Sequence, residues 1–162
     1  MTADLEAYLR KAEKFLFVCS GNTCRSPMAA ALARYYLPWA QVVSAGTATV
    51  TGLSASIGAM DAMQALGLSL DDHQSRPLNI YLLEEADLIL TMTAGHKKQV
   101  LAYYPEGAEK TFTLGELCGE GEDIEDPFGL PVEQYIECAR QMEAMIRRLA
   151  EKCGDLPAGK SE

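Results

Sequence analysis

The sequence is short of positive charge and of histidine. It has 14 lysine and arginine residues against 23 aspartate and glutamate residues, giving a net charge of -9, and only two histidines, His73 and His96. A chain with this balance repels the phosphates of nucleic acids and anionic membranes, so neither is expected as a partner. The two histidines lie far apart in sequence and near no cysteine pair, so no metal site is predicted, and no cofactor is expected either.

Long apolar runs are also missing. No segment reaches membrane-spanning length, and residues 1–14 are mixed and charged rather than typical of a secretory signal. The five cysteines are odd in number and lack the spacing of a disulfide framework, which favours reduced thiols and a cytoplasmic location. They are Cys19, Cys24, Cys118, Cys138 and Cys153. Nothing in the sequence sets the oligomeric state, and a monomer is the expectation.

Strand and helix patterns alternate along the chain. This predicts a single α/β domain, in which a four-stranded parallel sheet is flanked by helices in a Rossmann-like arrangement. Strands are predicted at 15–18, 41–45, 87–92 and 110–114, and helices at 26–37, 54–66, 95–103 and 132–153. The predicted domain covers 14–153. Residues 1–13 form an extension with helical spacing of apolar residues, and 154–162 are predicted to be a disordered tail.

Two of the predicted helices carry apolar stripes that indicate a buried face. The first stripe comprises Ile57, Met60, Met63 and Leu66. The second comprises Val132, Tyr135, Ile136, Ala139, Met142, Ile146 and Leu149. Helical spacing alone accounts for both stripes, so these residues are assigned to the core rather than to a binding surface.

The most informative segment runs from Cys19 to Ser26, between the first predicted strand and the first predicted helix. Ligands of open α/β sheets bind at the carboxyl ends of strands, and a helix N-terminus offers unpaired N–H groups and the positive end of its dipole. Gly21 and Asn22 tolerate positive φ, so the loop can turn its amides inward and form a nest for an anion. The predicted phosphate-binding residues are Ser20, Gly21, Asn22, Thr23, Cys24 and Ser26.

The loop also carries groups suited to covalent chemistry. No Gly-Lys-Ser/Thr follows, so this is not a nucleotide-binding P-loop. Arg25 can instead bind two phosphoryl oxygens at once through its planar guanidinium. The helix dipole and Arg25 are expected to lower the pKa of Cys19 and favour its thiolate, a nucleophile to which Ser26 can donate a hydrogen bond.

Phosphoryl transfer also needs an acid for the leaving group. Asp126 lies in an acidic segment before the last predicted helix, and Pro127 holds its backbone extended. Phe128 is expected to form an apolar wall of the pocket. The residues alone do not distinguish Asp126 from the neighbouring carboxylates.

Residues 14 to about 150 resemble the low-molecular-weight protein tyrosine phosphatase family. The matching pieces are the Cys19–Ser26 loop, Ser44-Ala45-Gly46, Ala86-Asp87 with Thr91-Met92, and Asp126-Pro127. The resemblance implies that Cys19 forms a phosphocysteine intermediate, that Arg25 binds phosphate, and that Asp126 acts first as acid and then as base for water. It also implies that Ser44 helps to hold Asn22 in a strained conformation.

Within that family the sequence is most similar to the bacterial protein arginine phosphatases. They carry threonine two residues before the loop arginine, as at Thr23, and Asp-Pro-Phe-Gly, as at 126–129. The resemblance implies that the aspartate also contacts the guanidinium of phosphoarginine. Two departures are Ala30, where the family usually has glutamate, and the N-terminal extension.

Three alternatives remain at this point. A phosphotyrosine phosphatase shares the loop and the acid, and only Thr23 and Phe128 distinguish it. A thioredoxin-coupled arsenate reductase would need redox cysteines around the third strand, whereas residues 79–95 contain none. A binding-only module would not need Cys19 beside Asp126. Cys24 has two interpretations, a half-buried loop cysteine or a redox partner that forms a disulfide with Cys19.

Overall fold

The sheet has four parallel strands in the order β2-β1-β3-β4. A computed structural model describes residues 2–154. The strands are β1 (Lys14–Cys19), β2 (Gln41–Gly46), β3 (Leu88–Thr91) and β4 (Thr111–Thr113). The chain passes from β1 to β2 on one side and then to β3 on the other, so the carboxyl end of β1 is a topological switch point, where α/β sheets bind ligands.

Seven α-helices surround this sheet in the described part of the chain. They are α1 (Ala3–Lys11), α2 (Arg25–Tyr36), α3 (Ile57–Ala65), α4 (Ile80–Glu85), α5 (Ala94–Tyr103), α6 (Leu114–Cys118) and α7 (Val132–Cys153), with a 3-10 helix at Pro105–Lys110. The predicted α/β class and parallel sheet are confirmed. The short helices α4 and α6 and the 3-10 helix were not predicted, because six residues or fewer give too little periodicity to recognise.

The side chains of β1 alternate between two cores, as expected of a strand buried on both faces. Phe15 and Phe17 belong to a core shared with α2, α3 and α7. Leu16 and Val18 belong to a smaller core with Leu83 and Val100 from α4 and α5. The sheet is therefore covered on both sides, and the segments that follow its strands lie at one end.

Most boundaries differ from the prediction by a single residue, and two of the differences have a clear structural cause. Leu114 does not extend β4 but begins α6, because Thr113 and Glu116 form a capping box there. Helix α3 begins at Ile57 rather than residue 54, since Ser56 caps it by accepting from the N–H of Ala59. The last helix, 132–153, has the predicted bounds.

The predicted burial of Ile57 is wrong. Its side chain is 74% exposed, whereas Met63, in the same stripe, is fully buried. Helix α3 packs on α7 through a face of small residues instead, and Gly58 lies against the ring of Tyr135. Close approach of the two helices there turns the preceding residue outward. In α7, Val132 and Ile136 are half-buried and the other stripe residues are buried.

The N-terminal extension contains helix α1, which Thr2 caps by accepting from the N–H of Leu5. Leu9 and Ala12 are buried, and the helix packs against α7. The hydroxyl of Tyr8 donates to the carbonyl of Asp87, just before β3. The predicted tail lies, apart from Gly154, outside the described residues. Between residues 2 and 154, no helix has the length and apolarity to span a bilayer.

Candidate active site

The phosphate loop, defined here as Cys19–Ser26, joins β1 to α2 with Asn22 at its most constrained point. Asn22 is fully buried and has φ of 56°, the only positive φ among the described residues other than glycine. Its side-chain amide donates to Ser26 Oγ at 2.8 Å and to Ser44 Oγ at 2.9 Å. The prediction that Ser44 supports Asn22 agrees with this geometry, and the bonds compensate for the left-handed backbone.

Cys19 and Ser26 face each other at the base of the loop. Cys19 Sγ lies 2.9 Å from Ser26 Oγ, and both residues are buried. Ser26 Oγ accepts from Asn22, so its own proton is available to donate to the sulfur, the direction that stabilises a thiolate.

The predicted lowering of the Cys19 pKa is wrong for the free site. Burial raises the pKa of this thiol above its ordinary value. Hydrogen bonds from the Ser26 hydroxyl and from the Ser26 and Asn22 backbones, and the charge of Arg25, lower it by less. Sequence patterns show the loop and its arginine but not how deeply β1 buries the sulfur.

Arg25 joins the loop to the segment that carries the predicted acid. This segment, residues 119–131, is called the acid loop below. Arg25 is 6% exposed, and its Nη1 donates to the Ile124 carbonyl at 2.9 Å. Its Nη2 lies 3.7 Å from Asp126 Oδ2, and the Asp126 side chain is half exposed. The acid loop is itself held by Ile124 N donating to the Met92 carbonyl after β3.

These groups surround a pocket of about 190 Å³ at the end of β1. Its lining residues are Cys19, Gly21, Asn22, Thr23, Cys24, Arg25, Asp126 and Phe128. The three residues predicted to be catalytic therefore share one pocket. Ser20 does not line it, because its hydroxyl is directed to His96.

Cys24 lies at the start of α2, next to α3 and α7. Its sulfur is 3.1 Å from Ser56 Oγ and 3.7 Å from the Tyr135 hydroxyl. All five cysteines of the chain are free and buried. The disulfide between Cys19 and Cys24 under oxidation stays a prediction.

Sequence reasoning missed the residues that hold the phosphate loop from outside. His73 Nε2 donates to the Asn22 carbonyl at 2.7 Å, and the backbone N–H of Arg76 donates to Asn22 Oδ1 at 2.9 Å. His96 contacts Ser20 from the opposite side. A histidine three residues after a helix-capping threonine, as in Thr93–His96, was the available signal.

The fold and pocket define a class of protein. A thiol, a buried arginine and a half-exposed carboxylate line an anion-binding loop at the switch point of a parallel sheet, which is the site of a cysteine-based phosphatase. A model of the low molecular weight phosphotyrosine protein phosphatase family matches residues 14–156. The chain belongs to this family, and the predicted phosphatase activity is confirmed at that level.

The relatives include enzymes named for two substrates. A protein-arginine-phosphatase of Geobacillus stearothermophilus is 43% identical over 86% of this chain and 95% of its own length. A probable low molecular weight protein-tyrosine-phosphatase of Ralstonia solanacearum is 41% identical over 70% of this chain and 77% of its own length. Among solved structures, a Cys-to-Ser mutant of a YwlE arginine phosphatase with a phosphorylated active-site serine is 35% identical, with a TM-score of 0.82 over 85% of this chain and 93% of that one.

Proposed function

We propose that the protein removes phosphate from phosphoarginine in proteins through a phosphocysteine intermediate. The observation that carries this proposal is the shared pocket, which Thr23 lines together with the thiol of Cys19 and the acid Asp126. Cytoplasmic phosphoproteins are the proposed substrates. The five free, buried thiols fit a reducing compartment.

The proposed reaction has two displacements at phosphorus. Cys19 first loses its proton to solvent, and its thiolate is stabilised by Ser26 and Arg25. The thiolate then attacks the phosphoryl group, a sulfur–phosphorus bond forms, and the bond to the guanidine nitrogen breaks while Asp126 donates its proton to that nitrogen. Asp126 then takes a proton from water, whose oxygen attacks the phosphocysteine and releases inorganic phosphate and the thiolate. The phosphorylated active-site serine of the Cys-to-Ser arginine phosphatase supports covalent chemistry at this position.

Arg25 has the geometry to hold the group being transferred. Arg25 is buried and lines the pocket with the loop residues, and its planar fork matches two phosphoryl oxygens. In that low-dielectric position its charge stabilises the transition state more than an exposed arginine would. The 3.7 Å approach of Asp126 keeps the acid close to the same group.

Two features favour phosphoarginine. Thr23 is small and polar at the wall of the pocket, which suits a branched, polar guanidinium more than an aryl ring. Asp126 is half exposed and can contact that guanidinium as a charge-assisted acceptor. The arginine phosphatase relative also covers more of the chain than the tyrosine phosphatase relative at nearly equal identity.

Phosphotyrosine is the second candidate, and one observation favours it. Although Phe128 belongs to the Asp-Pro-Phe-Gly sequence that resembles the arginine phosphatases, it is 69% exposed at the pocket, where its ring could stack on the ring of a tyrosine substrate. The relative named as a probable tyrosine phosphatase is consistent with this alternative.

The deciding experiment compares kcat/KM on two peptides that differ only in carrying phosphoarginine or phosphotyrosine. We expect wild type to prefer phosphoarginine, and Thr23→Ile to shift the ratio toward phosphotyrosine by about 10- to 200-fold, the range for one methylene in a pocket. Thr23→Val keeps the shape and removes only the hydroxyl, so it separates hydrogen bonding from size. A wild-type preference for phosphotyrosine that Thr23→Ile leaves unchanged would assign the protein to the tyrosine phosphatases.

A further inference from the structure

One histidine outside the pocket is joined directly to the phosphate loop. His96 lies in the first turn of α5 and is 6% exposed. Its Nε2 is 2.8 Å from Ser20 Oγ, and its Nδ1 is 2.9 Å from Thr93 Oγ1. Ser20 follows Cys19 in the chain, so this contact lies one residue from the nucleophilic sulfur.

His96 joins two hydroxyl groups through its two ring nitrogens. Thr93 Oγ1 also accepts from the backbone N–H of His96 at 3.1 Å. A neutral imidazole has one donor and one acceptor nitrogen, so it can bond both Thr93 and Ser20 in either tautomer.

Burial and the charge of Arg25 keep the ring of His96 neutral. Burial and the nearby positive charge of Arg25 lower the pKa of His96 to about 4, although Asp123 and Asp126 raise it in part. A neutral ring adds no positive charge beside Arg25, and it keeps one nitrogen able to accept a hydrogen bond from a hydroxyl group.

The loop is held from two sides. His73 and the Arg76 backbone bind Asn22 from one side, while His96 binds Ser20 from the β3–α5 side. The acid loop reaches the same place, since Asp123 Oδ1 accepts from the N–H of Ala94 at 2.9 Å. The start of α5 is thus the point at which the loop bearing the nucleophile and the loop bearing the acid are both fastened.

We propose that His96 is a positioning residue for the phosphatase reaction, acting through Ser20 to hold the first turn of the phosphate loop against α5. With Ser20 fixed, the backbone amides that follow Cys19 keep their orientation toward a phosphoryl group, and Cys19 keeps its line of attack. This inference rests on the cysteine-phosphatase chemistry and not on the choice between arginine and tyrosine.

The test uses p-nitrophenyl phosphate, so its result is independent of the natural substrate. The variants are Ser20→Ala, His96→Asn, His96→Gln and the double variant Ser20→Ala/His96→Asn. A glutamine amide nitrogen reaches the place of Nε2 and can donate to Ser20, whereas an asparagine amide reaches only the place of Nδ1. Ser69→Ala is the control, because Ser69 is an exposed serine that bonds only the N–H of Asp71 in its own turn.

We expect Ser20→Ala and His96→Asn each to lower kcat and to weaken vanadate inhibition by about 3- to 10-fold, the effect of one lost neutral hydrogen bond. KM and the thermal midpoint should stay near those of Ser69→Ala. The double variant should be no slower than the slower single variant, and His96→Gln should recover most of the rate. A wild-type kcat in Ser20→Ala, or losses that multiply in the double variant, would overturn the proposal.

Discussion

Asn22 shows how one residue can connect the strain of a loop to its chemistry. A left-handed asparagine is sparsely populated, and here it is maintained by contacts from Ser26, Ser44, His73 and the Arg76 backbone. The same contacts leave the proton of Ser26 available to donate to Cys19. The strained backbone of Asn22 is therefore linked, through Ser26, to the protonation state of the Cys19 sulfur.

The sulfur of Cys19 and the fork of Arg25 should be irreplaceable. Cys19→Ser should abolish turnover, because a serine hydroxyl is a far weaker nucleophile at neutral pH, while the fold stays intact. Arg25→Lys should also lose most activity, since a point charge cannot bind two oxygens at once. Steady-state rates with circular dichroism as the folding control would measure both. One-tenth of the wild-type rate in Cys19→Ser would remove the nucleophile assignment.

Asp126→Asn should lower kcat by about 10²–10⁴, the usual range for a lost general acid or base. The loss should be smaller on aryl phosphates with good leaving groups, which need less protonation. A series of substituted phenyl phosphates would measure this dependence. The exposed Glu125→Gln, one residue away, is the control and should retain activity. Equal losses across the series would argue against the acid role.

At the scale of elements, helices α3 and α7 pack on each other next to the pocket and contact its residue Cys24. A Cβ added at Gly58 would lie 2.4 Å from the ring of Tyr135, whose hydroxyl contacts Cys24. That distance is too short for any real side chain, so the ring of Tyr135 or the two helices must shift to accept one.

Gly58→Ala should therefore lower the free energy of unfolding by about 1–3 kcal/mol, the typical cost of overpacking, even though alanine favours helix formation. Gly95→Ala is the matched control, because a Cβ there meets its nearest atom at an ordinary 3.5 Å. That variant should gain up to about 1 kcal/mol from helix propensity. Urea unfolding of both variants would measure the difference. Equal stabilisation by the two would contradict the close packing of α3 and α7.

The strands, the long helices and the pocket could be predicted because their signals are local. The apolar residues 15–18 predict the central strand, and the loop that follows them predicts the anion site. Helix α7 shows the spacing of its apolar residues over 22 residues. Other features depend on contacts between parts of the chain that are distant in sequence. These features are the exposure of Ile57, the burial of Cys19 and the contact of His96 with Ser20. The periodicity of apolar residues in one segment does not predict such long-range contacts.

For the whole molecule, α1 is an addition at the end of the sheet opposite the pocket. It precedes β1, and Tyr8 bonds to the residue before β3, so it covers the amino ends of the strands. Leu9 is fully buried there against α7.

Leu9→Ala should destabilise the fold by about 2–5 kcal/mol, the range for a buried leucine. The kcat of the folded enzyme should be unchanged, because the pocket lies at the other end of the strands. Thermal unfolding and activity at 20 °C below the lower midpoint would test both parts. Ala7→Ser, on the exposed face of α1, should change neither. A stability close to wild type in Leu9→Ala would mean that α1 is only loosely docked.

The buried thiols can be used to measure local unfolding of the protein. Burial raises the pKa of Cys118 and of Cys138 to about 12, so a native molecule presents almost no thiolate at these positions to an alkylating reagent. Once the helices open, each thiol regains an ordinary pKa of about 8.5 and its reactivity rises by roughly three orders of magnitude. The rate of labelling at Cys118 and Cys138, read residue by residue by mass spectrometry, therefore measures rare openings under conditions where no spectroscopic change is visible.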